Sequence, residues 1–112
     1  MSNQYPIEID VHAVKALQDS EESFLLLDVR QPEENATAKI AGSTLIPMGE
    51  LLERIEELAP YQDQRIVVHC HHGGRSMQVT EALRSRGFDK AQNMAGGIDD
   101  WSLQINGDIP RY

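Results

Sequence analysis

The stretch Arg65-Ile66-Val67-Val68-His69-Cys70-His71-His72-Gly73-Gly74-Arg75-Ser76 sets the fold class. Its first half is rich in β-branched residues and predicts a strand over 65–70. From Ser76 to Arg86, Met77, Val79, Ala82 and Leu83 recur at helical spacing, and Gly87 then supplies a stop. Between strand and helix lie two adjacent glycines, which open backbone conformations closed to other residues. A tight loop of this kind can curl so that several N–H groups point inward and form an anion-binding nest. The helix N-terminus adds partial positive charge, and Arg75 adds a permanent cation with forked donors.

Cys70 stands at the mouth of that loop. Its thiol is expected to have a lowered pKa and to exist largely as thiolate. The same donors suit an anion carried on the sulfur, or charge developing there during transfer. Ser76 can donate its hydroxyl to the site or cap the helix. Alone, a cysteine at a strand end reads as a small buried hydrophobe; the Gly-Gly-Arg-Ser continuation reverses that reading. No metal is expected. His69, Cys70, His71 and His72 are consecutive, strand side chains alternate between faces, and the remaining histidine, His12, lies in another element.

Working outward, strands and helices alternate. Asp10 can cap a helix over Val11–Asp19 with Val11, Val14 and Leu17 on one face. Phe24–Val29 is a short apolar run, as for a strand buried on both faces. Thr44–Pro47 predicts a strand. Glu50–Leu58 predicts a helix with Leu51, Leu52, Ile55 and Leu58 as its apolar stripe. Lys90–Asn93 predicts a last brief strand and Ile98–Gln104 a last helix. The alternation implies an α/β fold, with a mostly parallel central sheet and helices on both faces. Ligands of such sheets sit beyond the carboxyl ends of the strands, which directs attention to the residues after Val29 and after Cys70.

The chain has 112 residues, one cysteine and a net charge of −8. One domain spanning residues 1–112 is expected, able to bury roughly two-thirds of its unfolded surface. A lone cysteine excludes a disulfide framework and favours a reducing compartment. The longest purely apolar run, Phe24–Leu27, is too short to span a membrane, and the first residues lack the pattern of a signal peptide. A cytoplasmic protein is expected. Residues 1–56 hold 11 acidic and 4 basic side chains, so nucleic acid and anionic membranes are not expected as partners.

Several ordered motifs carry a resemblance. Cys70, Gly73, Arg75 and Ser76 fit Cys-x-x-Gly-x-Arg-Ser. Leu27-Asp28-Val29-Arg30 is followed by Pro32-Glu33-Glu34. Ile40-Ala41-Gly42-Ser43 precedes Ile46-Pro47, and Asn93-Met94-Ala95-Gly96-Gly97-Ile98 precedes Trp101. Over nearly its whole length the chain resembles the rhodanese-like sulfurtransferases. It departs from them at Ala38-Lys39, where the family has Gly-His, and at His71 and His72, where many thiosulfate-using relatives carry Arg or Lys. Cysteine phosphatases place one residue more between Cys and Arg than the four found here, and the shorter loop suits a terminal sulfur better.

The resemblance implies two-step covalent catalysis at Cys70, without cofactor. A small sulfur-containing anion such as thiosulfate is the implied donor. A thiol, cyanide or a protein cysteine is the implied acceptor. His71, His72, Gly73, Gly74, Arg75 and Ser76 are the implied substrate-binding residues. Asp28 and Arg30 are expected to pair in support of the loop, Gly96-Gly97 to form a turn and Trp101 to pack on the sheet. Two alternatives remain: a sulfur-relay or docking module with little thiosulfate turnover, and a redox sensor using Cys70.

Overall fold

Leu25, Leu26 and Leu27 in one strand and Ile66, Val67 and Val68 in another are all buried. Strands apolar on both faces need a layer of helices on each side. The computed structural model describes residues 5–112 and has that arrangement. In chain order it runs β1 (Glu8–Ile9), α1 (Val11–Asp19), β2 (Phe24–Asp28), α2 (Pro32–Thr37), β3 (Thr44–Leu45), β4 (Arg65–His69), α3 (Gly74–Ser85), β5 (Ala91–Met94) and α4 (Gly97–Gln104). The five strands are all parallel, in the order β1-β5-β4-β2-β3. The loop at Cys70 therefore leaves the carboxyl end of the central strand.

Alternation along β2 and β4 divides the apolar residues between two cores. Leu25, Leu27, Ile66 and Val68 pack with Val79 and Leu83 of α3 and with Leu51 and Leu58. Leu26 and Val67 pack on the other face with Val11 and Val14 of α1 and with Ile98 and Trp101 of α4. The Asp10 carboxylate caps α1 by accepting from Ala13 N–H at 2.8 Å. After α3, Gly87 takes φ +93°, and the N–H of Phe88 returns to Leu83 C=O at 3.0 Å, closing the helix end as its glycine predicts.

The helix expected over Glu50–Leu58 is absent. Two 3-10 turns, Met48–Glu50 and Ile55–Tyr61, stand in its place. Leu51 and Leu58 are buried, whereas Leu52 is 61% exposed, so the apolar spacing holds only in part. Pro60 lies beyond the expected helix and inside the second turn, Ile55–Tyr61, where it cannot donate to an i−4 carbonyl as an α-helix there would require. The strand expected over Thr44–Pro47 shortens to Thr44–Leu45. The chain still follows β2, with Ile46 N–H donating to Asp28 C=O at 2.9 Å and Met48 N–H to Val29 C=O at 3.0 Å.

Sequence periodicity misses β1, with two residues too few to register, and α2, a polar six-residue helix with no apolar stripe. Among the described residues no helix is long and apolar enough to cross a membrane.

Candidate active site

Cys70 is 1% exposed, just past the end of β4. The chain then turns through His71 and His72 to Gly73, whose φ of +114° lets the backbone curl back over the sulfur. Cys70 Sγ accepts hydrogen bonds from Gly73 N–H at 3.1 Å, Ser76 N–H at 3.4 Å and the Ser76 hydroxyl at 3.3 Å. Burial pushes the thiol pKa up. The Ser76 hydroxyl and the N–H groups of Ser76, Gly73 and His72 oppose it and hold the thiol below its ordinary value. Gly73 is the N-cap of α3, so Ser76 stands inside the first turn and directs its hydroxyl at the site instead of capping the helix.

A second helix aims the loop's peptide planes. Ile98 N–H donates to Cys70 C=O at 2.9 Å, and Asp99 N–H donates to His71 C=O at 3.1 Å. In a planar trans peptide the N–H points opposite to the C=O. With these two carbonyls drawn toward α4, the N–H groups of His71 and His72 face the other way, and the His72 N–H reaches the sulfur. The approach depends on Gly97, where a Cβ would lie 2.4 Å from His71 O and 2.5 Å from Cys70 O.

The Ser76 hydroxyl has one proton and two acceptors. Besides the sulfur it contacts Asn93 Oδ1 at 2.5 Å, and the buried Asn93 donates through Nδ2 to Glu8 Oε2 at 3.0 Å and Gly73 C=O at 3.3 Å. Those two acceptors fix the amide so that its oxygen faces Ser76. Ser76→Ala is expected to raise the Cys70 pKa by about one unit, the value of a hydrogen bond to a charged group. Rates of iodoacetamide alkylation against pH measure this. The profile should move to higher pH, and an unmoved profile would mean that the proton stays on Asn93.

Arg75 turns to Glu34. Its Nη1 and Nη2 meet the two carboxylate oxygens at 2.7 and 2.9 Å. The Tyr112 hydroxyl donates to Glu34 Oε2 at 2.8 Å, and its ring stacks on His71 at 3.9 Å between centroids. His71 is half-buried, and burial and the neighbouring His72 lower its pKa, which keeps it neutral at pH 7. His72 is exposed, with Nδ1 3.9 Å from Asp99 Oδ2. Gly74 is exposed and opens α3. No group of three or more His, Cys, Asp and Glu placed to hold a metal occurs among the described residues.

Asp28 and Arg30 form a wholly buried ion pair. Arg30 Nε and Nη2 donate to the two Asp28 oxygens at 2.9 and 2.8 Å. Its remaining N–H groups reach Ala38 C=O at 2.6 Å, Glu34 C=O at 3.3 Å and the Tyr112 hydroxyl at 2.8 Å. His69, in register with Asp28, is fully buried, and burial lowers its pKa to about 4, so it is neutral.

Glu34, Asn93, Tyr112 and Glu8 join the site although the sequence assigns none of them to it; Glu34 and Asn93 lie in the ordered motifs quoted above. Glu34 had one signal: Pro32-Glu33-Glu34 after Gln31 reads as a helix start, and the Gln31 N–H does donate to Glu34 Oε1 at 3.0 Å. The other three arrive through tertiary contacts that have no local pattern.

A family model of the rhodanese-like domain matches residues 10–104. The chain belongs to the rhodanese-like domain family. Among curated rhodanese-like relatives, the putative sulfurtransferase YtwF of Bacillus subtilis is 37% identical over 94 residues, 84% of this chain and 88% of that protein. The putative sulfur carrier protein YrkF of the same organism is 39% identical over 95 residues, 85% of this chain and 50% of that protein. The chain spans half or less of YrkF and of several other curated relatives. Among solved structures, the human single-domain sulfurtransferase TSTD1 superposes with a TM-score of 0.76 at 29% identity, covering 88% of this chain and 97% of that one. That structure agrees with the fold described above.

Proposed function

We propose that this rhodanese-like domain transfers sulfane sulfur through a persulfide on Cys70. The convergence of N–H and O–H donors on Cys70 Sγ carries the reading, because a group of donors suits a sulfur that bears charge throughout a reaction. The sulfurtransferase names of its relatives support the same class of chemistry.

With thiosulfate as donor, the Cys70 thiolate attacks the outer sulfur. A new S–S bond forms, the old one breaks, and its electron pair leaves on sulfite. Cys70 then holds an anionic persulfide, whose terminal sulfur is placed among the loop N–H groups. Cyanide, a thiolate or a protein cysteine attacks that terminal sulfur and regenerates the Cys70 thiolate. Within these 112 residues no second cysteine is present to receive the sulfur. No step calls on a metal or organic cofactor.

The test is the intact mass after incubation with thiosulfate and removal of excess donor. A gain of one sulfur atom that cyanide discharges is expected, and Cys70→Ala should show none. An adduct that persists in Cys70→Ala would overturn the reading.

A second reading, a relay that takes sulfur mainly from a partner protein's persulfide, is favoured by one observation. The only arginine in the loop already faces a carboxylate, which leaves little positive charge to attract a small dianion.

A further inference from the structure

The arginines around the loop are each paired with a carboxylate, Arg30 wholly inside the protein. Arg75 faces Glu34, Arg30 faces Asp28, and Arg111 faces Asp99 at 2.8 Å. The Arg75 pair differs from ordinary surface ion pairs in how fully its carboxylate is held. Glu34 Oε1 accepts from Arg75 Nη1 at 2.7 Å and Gln31 N–H at 3.0 Å. Glu34 Oε2 accepts from Arg75 Nη2 at 2.9 Å and the Tyr112 hydroxyl at 2.8 Å. Two parallel N–H···O bonds between planar groups fix orientation as well as distance. The Gln31 contact belongs to the first turn of α2 and the Tyr112 contact to a ring stacked on His71, so the carboxylate is placed by the fold whether or not Arg75 is engaged. Its side chain is 20% exposed, and its pKa sits at about 2, chiefly through the Arg75 hydrogen bonds. It therefore carries its full negative charge at any working pH, and Cys70 lies within electrostatic reach of Arg75.

We infer that Glu34 is a specificity-determining residue that keeps Arg75 from small, doubly charged sulfur donors, so that the site favours donors of low charge such as a persulfide on a thiol or protein. An incoming dianion meets a guanidinium already occupied and a fixed carboxylate beside it. Competing for Arg75 means breaking a bidentate pair whose carboxylate cannot swing away. A donor of low charge places only its outer sulfur among the loop N–H groups and makes no demand on Arg75. The inference rests on the persulfide reading for the kind of ligand it names, but its test does not use the reactive sulfur.

Thiosulfate is titrated into Cys70→Ala and into Cys70→Ala/Glu34→Gln, and binding is read from the backbone amide NMR signals of residues 71–76. Glutamine keeps the shape of the α2 start and removes the charge. Glu34→Gln should tighten thiosulfate about tenfold, the effect of freeing one charged hydrogen-bonding partner. The singly charged methanethiosulfonate should gain less. Glu33→Gln, an exposed neighbour that changes net charge equally, should gain less than about twofold. Tyr112→Phe removes one donor to Glu34, keeps the ring, and should shift affinity the same way by a smaller factor.

Equal thiosulfate affinity with and without Glu34→Gln overturns the inference. So does an equal gain from Glu33→Gln, or the absence of any response at residues 71–76 in either protein. If instead Glu34→Gln tightens thiosulfate while the wild-type chain forms no persulfide, the charge device stands and the sulfur-transfer reading fails.

Discussion

Gly97→Ala is expected to destabilise the domain by about 3–4 kcal/mol and to return Cys70 toward an ordinary thiol. Gly97 has φ +61°, where an L side chain is strained by roughly 1–2 kcal/mol. The added Cβ meets two backbone oxygens, His71 O at 2.4 Å and Cys70 O at 2.5 Å, and neither belongs to a side chain that can rotate away. The start of α4 must retreat, and the bonds from Ile98 and Asp99 to the loop carbonyls are lost at about 1 kcal/mol each. With those carbonyls released, nothing fixes the His71 and His72 peptide planes toward the sulfur. Denaturant unfolding and the pH profile of alkylation measure the two effects. Gly107→Ala is the control, since its Cβ would meet nothing within 4 Å. Equal behaviour of the two variants would show that α4 does not aim the loop.

Arg30→Ala is expected to cost about 3–5 kcal/mol, the loss that follows when one partner of a buried ion pair is removed. Asp28 stays behind at 0% exposure, holding only Asn35 Nδ2 at 3.0 Å and its link to the Arg30 backbone N–H at 3.0 Å. The C=O groups of Ala38 and Glu34 and the Tyr112 hydroxyl lose a donor as well. Arg30→Lys should recover little, because an ammonium cannot span five acceptors set in a plane. The double variant Asp28→Leu/Arg30→Met should be more stable than Arg30→Ala, since it buries no unpaired charge. Chemical denaturation of the three proteins decides the point. A loss under about 1 kcal/mol for Arg30→Ala would mean that water reaches the carboxylate.

What the sequence makes legible is what local chemistry dictates. Cys70, Gly73 and Ser76 lie within seven consecutive residues, and a glycine turn between strand and helix leaves the sulfur few places to go. The β2 and β4 runs declare themselves because burial on both faces removes polar residues from them. Leu52 misleads because it has the right spacing for an α stripe, whereas the segment winds as 3-10 turns. From the sequence, Arg75 reads as a permanent cation of the site. Its pairing with Glu34 spans 41 positions and has no signature in either segment. Asn93 reads as the end of a short strand leading to a glycine pair, and its role at the site depends on Glu8 and Gly73 arriving beside it.

The strand order has a kinetic consequence. β5 enters beside β4 late in the chain, and β1 completes the edge by pairing Glu8 with Asn93 across most of the sequence. Contacts between distant positions close slowly, because loop entropy is lost before the pairing rewards it. Asn93 and α4, which position Gly73 and the loop carbonyls, belong to the last part of the chain to join the sheet in sequence, and Asn93 pairs with Glu8 across the longest separation. A chain without that segment in place therefore carries a cysteine whose local donors, Gly73 and Ser76, are not yet held by Asn93 and α4. Full activation of Cys70 is thus expected to form late, and the rate at which the thiol acquires it during refolding should follow the closing of the sheet.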